Sequence, residues 1–402
     1  SRSTGLILLL TFLVTVLAAM RIVDPVTGEM HLEIDPSANR LLSGNNEARV
    51  FYDRVRRMFG SDETLVITLT SDNIFTADNF RRIDRITQRI SDLGAVHHVA
   101  SLTNALDIRS IDDGLDIAPF IENISDDPAA IDDVRRRVMG NPIYAGSLVS
   151  QAGDATALIV HFLDITDREF IRSGLHADIR AIVEEERGDN TAWLTGAPHF
   201  KVAIIEILIH DLVWTPPVIA LILAIVLALA FRTVLGIVAP LLTVGFGVII
   251  SLGLITALGY SLSMISVLVP PLLMILGLSY SVHVVSEYHQ QRHSTGDRIA
   301  LVRMTLREVL LPVILTGLTT IAGFIALIVN PITAVREFGI LSSIGVVIIT
   351  LLSITFTPAL LKFLDRGAAG KDTRPSPGAG AFERFVDRIA LFDLRYRRRI
   401  FT

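Results

Sequence analysis

Apolar positions follow two patterns along this chain, and the two are kept apart. A continuous apolar run occupies 6–20, and after a long mixed stretch further runs occupy 212–231, 235–258, 263–285, 309–329 and 338–361. A helix needs roughly 20 apolar residues to cross ~30 Å of hydrocarbon, so these runs predict one membrane span, a large inserted domain and then five spans. Between 21 and 210 the pattern shortens. Residues 64–70 (TLVITLT) alternate and predict a strand. Residues 75–93 carry Phe80, Ile83, Ile86, Ile90 and Leu93 at helical spacing, with Thr76 or Asp78 as cap and Gly94 as the stop. A second strand follows at 96–101. The order repeats with a strand at 156–163, a helix over 167–186 (Phe170, Leu175, Ile179, Ile182 and Val183 inward), a break at Gly188 and Asn190, and a return strand at 191–195. Further helices are expected at 47–59 and 129–139, and the Asp-rich 102–128 reads as a linker with little core.

The expected fold class is therefore a membrane α-helical bundle of one plus five transmembrane helices with an inserted α+β domain of two βαβ-type subdomains. The expected domains are 1–20, the first helix; 21–210, the inserted domain, with subdomains about 39–105 and 125–205; 211–365, helices two to six; and 366–402, a linker and amphipathic basic helix (Phe385, Ile389 and Phe392 against Arg384 and Arg388). Two subdomains side by side leave a cleft, a usual place for a ligand.

Composition agrees with a membrane protein, at 51% hydrophobic residues. Cysteine is absent, which removes disulfides, thiolate metal sites and cysteine nucleophiles. Acidic residues concentrate in 21–210, so a nucleic-acid partner is not expected. His97 and His98 are neighbours on a strand, point to opposite faces and do not chelate one metal; the 112–116 aspartate run lacks the alternate spacing of a calcium loop. No phosphate loop or nucleophile–base pair survives the topology. An enzyme, a metal and a cofactor are not expected.

Arg232, the cluster Arg292, Arg298, Arg303 and Arg307, and Lys362, Arg366, Lys371 and Arg374 fall on one side of the predicted helices. On the other side 259–262 is uncharged and 330–337 has only Arg336 beside Glu337. The basic side is the cytoplasmic one, which places 21–210 outside. Trp214 marks the interface at the top of the second span.

Within the spans, Ser279, His283 and Glu287 are spaced i, i+4, i+8 on one helix face. Thr316, Thr319 and Thr320 share a face of the next helix, where they either pair with Ser279 and Tyr280 or serve as ordinary helix-packing hydroxyls. Intramembrane ionisable groups are functional candidates, although an interfacial histidine bonded to a carbonyl and ordinary packing hydroxyls give the same pattern. Pro270 and Pro271 are expected to kink the fourth span, and Gly245 and Gly247 to be close-packing glycines.

Four local motifs stand in order: TGAP at 195–198, LGLSYSVHVVSEY at 276–288, LPVILTGLTTIAGF at 311–324 and VREFGILSSIG at 335–345. With the one-plus-five layout, the chain resembles one half of a resistance-nodulation-division (RND) transporter of the MMPL-like lipid-exporter branch. The resemblance implies export of a hydrophobic or amphiphilic substrate (a sterol, hopanoid or similar lipid) from a bacterial inner membrane through a porter cleft, with 21–210 in the periplasm. It also implies a second half completing twelve spans, and a dimer or trimer. Proton-driven relatives carry an aspartate in the fourth helix; here that place reads Ser279-Tyr280-Ser281, so this position supplies no titrating group. The coupling or relay candidates are Ser279, Tyr280, His283, Glu287, Thr316, Thr319 and Thr320. Two other readings share the helix order, a sterol-sensing-type lipid receptor without pumping and a SecD/SecF-like export accessory.

Overall fold

The computed structural model describes residues 2–28, 30–36, 50–52, 54, 55, 58, 63–111, 114–292, 294–295 and 297–365. The expected basic tail at 366–402 lies outside them. Of the helix expected at 47–59 only the scattered positions between 50 and 58 are described, and these are helical.

Among the described residues six helices are long and apolar enough to cross a membrane. The first is α1 (Arg2–Ile22). The α/β region follows, with β1 (Thr64–Thr70), α2 (Ala77–Ser91), β2 (Val96–Ala100), β3 (Leu106–Ile111), β4 (Gly114–Pro119), α3 (Pro128–Gly140), β5 (Ala155–Phe162), α4 (Asp167–Arg172), α5 (Leu175–Glu186) and β6 (Thr191–Gly196). The remaining spans are α6 (Ala197–Phe231), α7 (Val234–Ala257), α8 (Val269–Gln291), α9 (Arg298–Ala326) and α10 (Thr333–Leu364).

The two strand–helix–strand blocks do not form two subdomains. Their strands interleave in one four-stranded sheet of order β2-β5-β1-β6. All neighbours are antiparallel, with Thr64 opposite His161 and Leu65 opposite Gly196. β5 thus lies between β1 and β2, and β1 between β5 and β6, the split βαβ arrangement. The strand alternation buries Leu65, Ile67 and Leu69 with Leu158, Val160 and Phe162. The apolar stripe of α2 (Phe80, Ile83, Ile86, Ile90) and that of α5 (Ile179, Val183) meet them in a single core. The cleft expected between 39–105 and 125–205 is therefore filled by shared packing. Glu186 clamps the two helices, accepting from Arg85 at 2.6 Å and Arg89 at 2.8 Å.

The stretch 102–128 is likewise not a coreless linker. It holds the β3–β4 hairpin, and Leu102, Ala105, Phe120 and Ile121 beside it are buried in the same core. Arg137 of α3 ties it down, donating to Asp107 at 2.9 Å and to the Phe120 carbonyl at 3.0 Å. The helix expected over 167–186 breaks at Gly174, which has φ 72°, into α4 and α5. β2 carries a register shift between Val96 and His98, and both His97 and His98 are exposed there, so strict alternation does not hold at that edge.

Among the spans, α10 is the most enclosed, with 67% of its apolar window buried, against 11% in α1, 6% in α6 and 11% in α9. Close approach decides the packing. A Cβ on Gly253 would fall 2.6 Å from the Ala18 backbone of α1, and one on Gly277 would fall 2.4 Å from Ile349 Cδ1 of α10, so small residues let these helices touch. Gly247 also faces Ile349, while Gly245 has open space. Pro270 and Pro271 stand in the first turn of α8, where the missing N–H has no intrahelical partner to lose. They start the helix and do not kink it.

Contacts at the two ends of the bundle fix its sides. On one side Phe231 stacks on His289, Lys362 donates to Thr4 at 3.2 Å, and Arg292 pairs with Asp365 at 2.8 Å. Arg232, Arg292, Arg298 and Lys362 thus share that side. On the other, 33–35 pairs with Leu262 through two backbone bonds of 2.8 Å, and the α/β region sits on the start of α6.

Candidate functional site

The longest helix joins the two regions. Gly196 ends β6 with φ 116°, and a Cβ there would fall 2.2 Å from the Thr64 carbonyl oxygen, so only glycine lets the sheet turn directly into α6. In the first turns of α6, His199 meets His176 of α5 with Nδ1 and Nε2 2.9 Å apart. Burial, then the neighbouring His199, push His176 below the ordinary histidine range, partly offset by Glu206.

In the membrane, α8 has two unlike faces. Gly277, Tyr280, Ser281, Val284, Val285 and Tyr288 are buried against the bundle. Ser279 and His283 are exposed on the opposite face, with Glu287 half-buried below them. Ser279 lies twelve residues before Gln291, about 18 Å at ~1.5 Å per residue, which is near the middle of a ~30 Å core. On α9, Leu301, Thr305, Val309, Val313 and Gly317 are buried, so Glu308, Thr316 and Thr319 face outward and Thr320 is half-buried. A groove of about 260 Å³ runs between the two helices, lined by His283, Ser286, Glu287, Gln290, Glu308 and Pro312 among others.

The structure thus brings together two of the expected residues and separates the others. His283 and Glu287 share the groove, and Glu308, which sequence reasoning passed over, joins them. Its position four residues before Pro312, on the outward face of α9, was the available signal. Glu287 accepts from Gln291, one turn on. The threonines do not reach α8: Thr316 donates to the Pro312 carbonyl at 2.8 Å, Thr319 to Thr316 O at 2.9 Å and Thr320 to Thr316 O at 2.8 Å. Of the two readings the pairing with Ser279 and Tyr280 is not made, because each hydroxyl finds a carbonyl on its own helix first. Tyr280 points into the bundle, away from Ser279, and its buried hydroxyl has no hydrogen-bond partner among the described residues.

A second polar set lies inside. Thr243 meets Thr357 at 2.8 Å, Ser281 meets Ser353 at 3.3 Å, and Tyr288 donates to Asp365 at 3.0 Å. Arg292 completes that last cluster, so the buried Asp365 is both paired and hydrogen-bonded, as a buried charge must be. Ser353 and Thr357 are four apart on α10, a spacing visible in sequence. The outward face sets the ionisable side chains of His283, Glu287 and Glu308 along one groove; the inward set offers hydroxyl packing and one clamp. Among the described residues no three His, Asp or Glu side chains are placed to hold a metal ion.

Six spanning helices, a split βαβ sheet domain inserted after the first, and a polar face on α8 and α9 define a polytopic membrane protein with a bipartite plan. Residues 47–390 match the model of the MMPL family, most of the chain, and the chain belongs to that family of RND-type transporters. Over 370 residues it is 21% identical to protein MJ1562 of Methanocaldococcus jannaschii, covering 90% of this chain and 91% of that one. It is 26% identical to protein SCO5905 of Streptomyces coelicolor over 264 residues, 62% of this chain and 30% of that one. It is 28% identical to the hopanoid transporter HpnN of Rhodopseudomonas palustris over 148 residues, 37% of this chain and 17% of that one. The match runs nearly the whole length of the first relative and under a third of the other two.

Proposed function

We propose that the chain is one six-helix unit of a transporter that exports a hydrophobic or amphiphilic molecule, a lipid of the sterol or hopanoid kind, from a bacterial inner membrane. In this reading the basic side is cytoplasmic and the α/β domain is periplasmic, in keeping with the lysine and arginine bias. Membership of the MMPL family supports transport, and the likeness to a hopanoid transporter over part of the chain supports a lipid.

The observation that carries the reading is the outward polar face of α8 and α9. Polar and ionisable residues at membrane depth face protein or water and not lipid. Ser279, His283, Glu287, Glu308, Thr316 and Thr319 therefore need a cover, and a second six-helix unit, as a second half or a second copy, supplies one. Protons cross at that seam. Ser279 does not titrate, so His283, Glu287 and Glu308 relay a proton whose main carrier belongs to the second unit. The substrate path lies over the open face of the sheet, where Trp193 is 65% exposed, and the cleft forms between two such domains.

Substrate efflux from proteoliposomes of the full-length protein under an imposed pH gradient tests this. Gradient-driven efflux of a hopanoid or sterol, reduced at least tenfold by Glu287→Gln with Glu308→Gln, is expected. Lipid binding with no gradient-driven movement would favour the lipid-sensor reading, which the serine at 279 also fits.

A further inference from the structure

A second groove opens on the other flank of α9, between α1, α9 and α10, at the end of the bundle that carries the basic residues. It encloses about 320 Å³ and is walled by Ile7, Val302, Leu306, Ile354 and Pro358, with Thr4 and Lys362 at its rim. Its lining is apolar except at that rim and at the exposed Thr355, whose hydroxyl donates to the Leu351 carbonyl at 2.6 Å, and none of its residues belongs to the His283–Glu287–Glu308 groove.

The charges around it are unbalanced. Lys362 is half-buried, and its neighbour is the Thr4 hydroxyl at 3.2 Å. Among the described residues no carboxylate lies within 4 Å of Lys362, Arg298 or Arg303. By contrast Arg292, on the same side of the bundle, is matched by Asp365. On the wheel of α9 the groove positions Ile299, Val302 and Leu306 lie between Arg298 on one flank and Arg303 on the other. A cation at the end of an apolar membrane groove needs an anion, and basic pockets between helices on the cytoplasmic side recruit anionic headgroups.

We propose that this groove holds an anionic phospholipid. One acyl chain lies against Ile7, Val302, Leu306, Ile354 and Pro358. The phosphate accepts hydrogen bonds from Lys362 and the Thr4 hydroxyl, and Arg298 and Arg303 close the charge around it. The site is separate from the proposed transport seam, so a failure of either reading leaves the other standing.

Because the chain has no cysteine, Thr355→Cys on the exposed rim takes a single bimane label in the otherwise unaltered full chain. The label is read in vesicles of phosphatidylcholine containing increasing mole fractions of either brominated phosphatidylglycerol or brominated phosphatidylcholine. Quenching by the glycerol lipid is expected at several-fold lower mole fraction. Lys362→Gln should weaken that preference roughly fivefold, the ratio that ~1 kcal/mol per basic group gives, and Lys362→Arg should restore it. Arg303→Gln, on an exposed position, should weaken it less and guards against misfolding as an explanation. Inorganic phosphate at millimolar concentration should leave the preference unchanged. Equal quenching by both lipids, a preference that survives Lys362→Gln combined with Arg303→Gln, or loss of the preference to inorganic phosphate would each overturn the proposal.

Discussion

The sheet domain and the helical unit are built from the same kinds of residue, yet one closes on itself and the other does not. In the sheet domain β1 and β5 turn every second side chain into a single core, and the charged residues at its edge find partners, as Glu186 does with Arg85 and Arg89. In the helical unit α10 is enclosed, but α8 and α9 end on a face of Ser279, His283, Glu287, Thr316 and Thr319 that no described residue covers. Water tolerates polar groups on the surface of the first; hydrocarbon does not tolerate them on the surface of the second. The difference marks where the sheet domain's stability is internal and where, in the proposed reading, the helical unit depends on a neighbour.

The largest expected effect breaks the closed region. Phe80→Ala removes a side chain that is 2% exposed and packs edge-on to Phe75 at 6.3 Å. It should cost about 3–5 kcal/mol, read as a loss of denaturant or thermal midpoint. Thr316→Ala, on the open face, should stay within about 0.5 kcal/mol in the same measurement, and an equal loss would erase the distinction between the regions.

Next in size is the clamp. Glu186 is held below the usual carboxylate range, first by the hydrogen bond from Arg85 and then by that from Arg89. A group lowered in the folded state stabilises above its unfolded value, about 4.5, and loses that contribution as pH falls through the folded one. Both arginines are 40–49% exposed, so Glu186→Gln should cost about 1 kcal/mol at neutral pH and flatten the acid limb below pH 4.5. A pH-independent loss would point to packing and not to charge.

A smaller effect sits at the joint between the regions. His176 is pushed down by burial and by His199, so its neutral form favours the folded state. Its contribution is complete above about 6.5 and is lost as pH falls through the lowered value. Thermal midpoints between pH 8 and 5 should therefore fall, and His176→Gln should remove that part of the slope. An unchanged slope in the variant would assign the pH response elsewhere.

How much of this was legible in the sequence differs between the same two regions. Strands such as Thr64–Thr70 and helices such as Ala77–Ser91 follow from local periodicity, which depends on near neighbours alone. Which strands pair does not, because β5 enters between β1 and β2 from more than fifty residues away. Two local blocks therefore read as two subdomains when they share one core. The β3–β4 hairpin was hidden by its aspartates, although Leu106, Ile108, Leu115 and Ile117 alternate on its two strands. In the membrane the spans were plain from length and composition. Spacing also showed that Ser279, His283 and Glu287 share a face. It did not show that the face turns outward, nor that Tyr280 turns in, because direction is set by the packing of Gly277 on Ile349.

The smallest expected effect is at Ser279. Ser279→Ala should leave gradient-driven transport nearly intact, since a membrane hydroxyl contributes only ~0.6 kcal/mol on average. Ser279→Asp should alter transport or its pH dependence by placing a carboxylate on the covered seam. Complete loss in Ser279→Ala, with normal expression, would show that the hydroxyl is essential and the relay assignment wrong.

The central claim is that the outward polar face of α8 and α9 is buried against a second six-helix unit. Spin labels at Thr319→Cys on α9 and at Leu221→Cys on α6, each as the single cysteine of the full-length protein, measure it through collision with oxygen dissolved in the bilayer. Both positions are exposed in the isolated unit. The account predicts high oxygen accessibility at position 221 and several-fold lower accessibility at position 319. Equal, lipid-like accessibility at both would contradict it.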